Sequence, residues 1–224
     1  MPIINIFFLL LIINIFIFPT IAFDPPPTQD ICVADFSKGP KAYDNLPFPC
    51  KDPEQATAED FFSDLLSKAG DTNNAFNASF NSLNTTQIPG RNALGMTVTR
   101  LDLGPGGSFP LHIHHRATEL FIVFQGELEV GFVTSAQDNY KLYNMTIPEG
   151  GVFYVPVGLV HYQRNALKDG NTVAFSVFNR QNPGYDPVAH AAFKSAPLID
   201  SGYLADAFQL DENIIHMLQG KTWV

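Results

Sequence analysis

Between Leu94 and Asn179 the chain is a succession of short apolar or alternating runs cut by Gly and Pro: GMTVTRLDL, ELFIVFQ, ELEVGFV, GVFYVPV, HYQRN and TVAFSVFN. Strand side chains project to opposite faces with a period of two, so these runs predict strands. Many of them at close spacing predict an antiparallel sandwich or barrel. Within ELEVGF, Glu127 and Glu129 alternate with Leu128 and Val130, as on a strand with one wet face. LFIVF is apolar on both faces, so its outer side calls for a second sheet or a second subunit.

Helical spacing flanks this region. Upstream, TAEDFFSDLLSKAG sets Phe61, Phe62, Leu65 and Leu66 behind a cap-like Thr57 and ahead of Gly70, which predicts one short helix. Residues 71–90 are rich in Asn, Ser and Thr and read as a polar loop. Downstream, YDPVAHAAFKSAP, GYLADAFQL and DENIIHMLQG predict two or three short helices over about 186–220. Ile214, Ile215 and Leu218 give the last of these an apolar stripe, read as a subunit contact in preference to packing on the sheet. The expected class is all-β with short helices, in one domain.

The first residues change the compartment. MPIINIFFLLLIINIFIFPTIA has no ionisable side chain and leads through Thr20 and Ala22 into FDPPPTQD, the pattern of a secretory signal cleaved near Ala22. An uncleaved anchor is the alternative, since the stretch is long enough to span. Cleavage of residues 1–22 leaves 202 residues, 23–224, enough for one sizeable β domain, and no membrane attachment thereafter. The formal charge of −9 stays with the mature chain and argues against nucleic acid or anionic membrane as partner. Cys32 and Cys50 are the only two cysteines, which in an oxidising compartment predicts one disulfide pinning the N-terminal arm to the body. Asn77, Asn84 and Asn144 each open an N-x-[ST] sequon and are candidate glycosylation sites.

Candidate chemistry centres on PLHIHHRATELF. Side chains two apart on a strand share a face, so His112 and His114 point together and His115 points away into a turn. Glu119 opens the next strand, where its same-face neighbours Phe121 and Val123 are apolar. A carboxylate there is costly unless a cation compensates it. A second hairpin, with a turn at Pro156-Val157-Gly158, delivers His161. Three neutral imidazoles and a carboxylate suit a first-row divalent ion, and the absence of a thiolate argues against a structural zinc site. Taken singly, the histidines could be surface residues and Glu119 could pair with Arg100 or Arg116. His190 and His216 read as helix-surface or core histidines.

These spacings resemble a known family. Gly106, His112, His114, Glu119 and Gly126 reproduce the first cupin motif; Gly150, Pro156, Gly158, His161 and Asn165 reproduce the second. With QDICVADF, RATE and QNPG, the mature chain resembles the plant germin-like proteins. The resemblance implies a cupin β-jelly-roll over about 90–180. It implies manganese, cycling between Mn(II) and Mn(III), bound by His112, His114, Glu119 and His161, which act catalytically through the metal; iron, copper or zinc also fit such donors. It further implies a homo-oligomer, a hexamer built as a trimer of dimers, in the cell wall or apoplast.

Germins proper are oxalate oxidases with two asparagines beside the metal, and this sequence has Phe109 and Thr99 at those positions. Losing those amides disfavours oxalate oxidation. The implied activity is superoxide dismutation, which yields hydrogen peroxide for wall or defence processes from a small anionic, oxygen-derived substrate. The alternative is a non-catalytic, metal-containing wall, receptor-like or storage protein that binds a glycan or a protein. The −9 charge repels superoxide at long range, and a basic funnel near Arg100 or Arg116 would offset that.

Overall fold

The computed structural model describes residues 29–38 and 47–222, so the segment read as a signal lies outside the described residues. Ten strands form two antiparallel sheets: β1 (Ala78–Ser82), β2 (Thr97–Leu103), β3 (Ser108–Ile113), β4 (Glu119–Gln125), β5 (Leu128–Val133), β6 (Leu142–Ile147), β7 (Val152–Val155), β8 (Val160–Asn165), β9 (Thr172–Phe178) and β10 (Asp186–Pro187). One sheet runs β1-β2-β9-β4-β7 and the other β10-β3-β8-β5-β6. Their inner faces close on Leu101, Leu103, Phe121, Val123, Leu128 and Val130, a core set by the period of two read from the sequence.

Two predicted elements differ. The helix expected from Thr57 to Gly70 is instead a pair of single 3-10 turns, Ala58–Phe61 and Leu65–Ser67. Thr57 and Asp60 form a reciprocal cap, but Phe62 is extended, because Phe61 lies flat over Gly90 and Asp60 is tied to Lys51 at 2.8 Å. Contacts with the body thus override helical spacing in a segment too short to propagate a helix by itself. The polar loop expected over 71–90 contains β1, which pairs with β2 from Ala78↔Leu103 to Ser82↔Thr99. Only Ala78 of that strand is buried, so its hydrophobic pattern carries little signal. β6 was likewise not among the predicted runs: it is an edge strand, with all but Ile147 exposed.

Three short helices follow, α1 (Val188–Phe193), α2 (Ser201–Phe208) and α3 (Glu212–Gly220). Asp200 and Asp211 cap α2 and α3 by accepting from the backbone N–H of Tyr203 and Asn213. The stripe of α3 divides: Ile215 and Leu218 pack with Phe193 and Leu204 in a small helical core, whereas Ile214 is exposed. The stripe therefore packs mainly on neighbouring helices. Outside the two sheets, the Cys32–Cys50 disulfide closes the arm on itself instead of pinning it to the body; the arm is held to the body by Ala34, which donates its N–H to the Pro89 carbonyl, and by Asn92, whose amide donates to the Phe48 carbonyl and accepts from its N–H. Closing a loop of that length contributes about 3 kcal/mol in the chain-entropy account.

Candidate metal centre

The centre is assembled from both sheets. His112 on β3 stands opposite His161 on β8, and Glu119 heads β4 in register with Phe178 of β9. His114 follows the end of β3 and packs its ring on Phe178 at 4.6 Å. A bulge between Phe109 and His112 interrupts the pairing of β3, so both residues face inward although they are three apart. The second turn is locked onto the first: Gly158, at φ +79°, donates its N–H to the His114 carbonyl at 3.0 Å. All four side chains are buried, and their ligand atoms lie within 4.8 Å of one another. Among the described residues this is the one such group.

Hydrogen bonding fixes which nitrogen faces inward. The Nδ1 of His112 meets the Pro110 carbonyl at 2.8 Å, that of His161 meets the Leu159 carbonyl at 2.8 Å, and that of His114 meets the Gly184 carbonyl. A carbonyl only accepts, so each Nδ1 carries the proton and each neutral ring turns a lone pair on Nε2 toward the centre. Yet Nε2 of His161 and of His114 lie 3.0 and 3.5 Å from Glu119 Oε2. Lone pairs facing a carboxylate at that range repel unless a cation or a proton lies among them. Burial pushes the His112 imidazole down to about 2 and lowers His114 as well, so neither of these two rings readily supplies that charge as a proton. The donor set fits a divalent ion, and carbonyls on Nδ1 are the outer partners that orient metal-binding imidazoles.

The alternative partners for Glu119 are engaged elsewhere. Arg100 pairs with Asp102 at 2.8 Å and donates to the Leu66 carbonyl, and Arg116 holds Asn182. Neither lines the pocket, so the expected basic funnel is not formed by these two residues. Arg116 instead packs over Gly184 and steadies the 181–184 segment that supplies the carbonyl to His114. His115 is exposed beside Asp186 at 2.8 Å, His216 is exposed on α3, and His190 lies half-buried on α1. Of the sequon asparagines, Asn77 is exposed in a turn, Asn144 is exposed on β6 and Asn84 is half-buried in a turn.

Beside the four residues lies a pocket of about 90 Å³, large enough for several waters. Thr99 and Phe109 do line it, with Gln163, Ser176, Phe178 and Tyr185. The Thr99 hydroxyl is spent on Ser82 at 2.9 Å. Tyr185 sets its ring 4.7 Å from His112, and burial together with the Glu119 carboxylate pushes its hydroxyl up to about 12. Gln163, Ser176 and Tyr185 were not picked out from the sequence. Strand alternation from His161 points to Gln163, but nothing local marks the other two.

Residues 65–216 match the Cupin family. The chain is 44% identical over 200 residues to "Germin-like protein subfamily 1 member 17" of Arabidopsis thaliana, covering 89% of this chain and 90% of that one. A solved structure of recombinant oxalate oxidase in complex with glycolate superposes with a TM-score of 0.80 at 37% identity, covering 88% of this chain and 96% of that chain. Peruvianin-I, described as a cysteine peptidase from Thevetia peruviana latex, superposes with a TM-score of 0.66 at 32% identity, covering 74% of this chain and 98% of its own. Both cysteines of the present chain are bonded to each other, which leaves no thiol nucleophile.

Proposed function

Because the chain belongs to the germin-like proteins of the cupin family, we propose that it is a secreted manganese protein of the plant apoplast that dismutates superoxide. The observation that carries this reading is the buried set of three lone-pair-presenting imidazoles and one carboxylate, opening on a small pocket. In this reading His112, His114, Glu119 and His161 hold the ion. Cycling between Mn(III) and Mn(II), manganese there supplies one-electron chemistry: two superoxide anions and two protons become one oxygen and one hydrogen peroxide.

The chain's own part is to fix the donors and limit the substrate. Carbonyls on the three Nδ1 atoms keep every Nε2 lone pair inward, and Glu119 lowers the site's charge by one. Phe109 and Phe178 keep the walls apolar and restrict water. Phe109 and Thr99 also offer no amide to a dicarboxylate, which leaves Gln163 as the amide among the described residues of the wall and supports dismutation over oxalate oxidation. In the oligomer, expected to be a hexamer built as a trimer of dimers, the outer face of β4 and β7 would be covered. Phe124, Val152 and Tyr154 are exposed there, more apolar surface than an isolated sheet usually leaves to water. Among the described residues no helix is long and apolar enough to cross a membrane.

One observation favours a second reading. Among the described residues no Lys or Arg side chain lines the pocket to offset the charge of −9 that repels superoxide, as would suit a metal-containing wall, receptor-like or storage protein. The two separate on protein of verified oligomeric mass, reconstituted with graded manganese. Dismutation is expected to rise in proportion to bound manganese, with no peroxide formed from oxalate. A fully loaded protein that leaves superoxide decay at the uncatalysed rate would overturn the enzyme reading in favour of binding or storage.

A further inference from the structure

Among the described residues, one fully buried side-chain oxygen on the pocket wall has no hydrogen-bond partner. Ser176 is 0% exposed, lines the pocket and finds no hydrogen bond for its Oγ. Burying a hydroxyl unpaired is costly, and β9 does not need one here: Ala174 occupies the preceding inward position of the same strand. Ser176 stands between Thr99 of β2 and Phe121 of β4 in the cross-strand row next to that of Glu119 and Phe178. Two residues along a strand span about 7 Å. At that spacing a ligand of two or three heavy atoms on the four-residue centre would reach toward this hydroxyl.

We infer that Ser176 is a specificity-determining residue: its hydroxyl donates to the outer atom of a small monoanion whose inner atom lies on the metal. Charge selects the class. A divalent ion and the Glu119 carboxylate leave the site at plus one, because the imidazoles are neutral donors. A monoanion brings the total to zero. A dianion leaves a net negative charge among Phe80, Phe109 and Phe178, with no Lys or Arg among the described residues of the wall to balance it. The other hydroxyl within the row, on Thr99, is already given to Ser82, which leaves Ser176 as the unengaged hydroxyl of that row.

This inference rests on the manganese reading, and the test separates them by measuring metal content first. Azide serves as the monoanion probe and oxalate as the dianion, each titrated into manganese-loaded protein by calorimetry and by the manganese electron-spin resonance signal. Ser176→Ala is expected to keep its manganese and its melting temperature, since it removes an unpartnered group, and to raise the azide dissociation constant about tenfold. Ser176→Thr, which retains the hydroxyl, is expected to recover most of that affinity. Unchanged azide affinity in Ser176→Ala overturns the assignment, as does tighter binding of oxalate than of azide by the unsubstituted protein. Serine-dependent azide binding without dismutation leaves the assignment standing and removes the enzyme reading; a protein that takes up no manganese defeats both.

Discussion

Replacing His112 by alanine is expected to empty the centre while leaving the barrel folded. Outer partners of metal-binding imidazoles are themselves worth about ten- to a hundredfold in affinity, so deleting a donor should cost at least roughly a hundredfold. Metal per chain after dialysis should fall below about a tenth of the parent's, and dismutation with it. The fold should survive because the hydrophobic core lies deeper, on Phe121, Val123, Leu128 and Val130, and does not depend on the ring. Mass-spectrometric metal content beside far-ultraviolet circular dichroism checks both halves. Full metal retention in His112→Ala would remove that residue from the ligand set.

The second large effect is on stability. Asn165 ends β8 with its amide donating to the carbonyls of Leu103, Gly104 and Gly170, while its Oδ1 accepts from the N–H of Leu167 and the hydroxyl of Thr172. One buried side chain thus closes the end of the barrel remote from the metal turns, where backbone groups have no ladder partner. Asn165→Ala leaves several of these buried groups unpaired and is expected to cost about 3–5 kcal/mol. The manganese affinity of the folded fraction should change little, since His161 is four residues away and held by Leu159. Chemical denaturation at fixed metal occupancy measures this; a loss under about 1 kcal/mol would mean that water replaces the amide without penalty.

Asn165 also shows what was legible. Its place in the second motif was readable from spacing, but its work was not, because its partners lie at 103–104 and 167–172 and only the folded chain brings them together. The ligand candidates were legible for a local reason. A period of two puts His112 and His114 on one face, and an acidic residue on the apolar face of β4 announces a buried charge. Strands with one buried face were legible in the same way, whereas β1 and β6 were not, since each of these edge strands buries a single residue and loses that contrast. The segment 57–70 misled because helical spacing in a few residues is weaker than the docking of Phe61 on Gly90. Ser176 was invisible for the opposite reason: within the run TVAFSVFN it reads as one more strand position, and only the sheet shows which pocket it enters.

In the proposed reading His112, His114, Glu119 and His161 together hold one redox-active ion. Anomalous diffraction from crystals of the manganese-loaded protein, recorded on either side of the manganese absorption edge, tests this. A single peak per chain is expected among these four side chains, bonded to the three Nε2 atoms and to a Glu119 carboxylate oxygen. A peak elsewhere, or none among these four in protein shown to contain one manganese per chain, would contradict it.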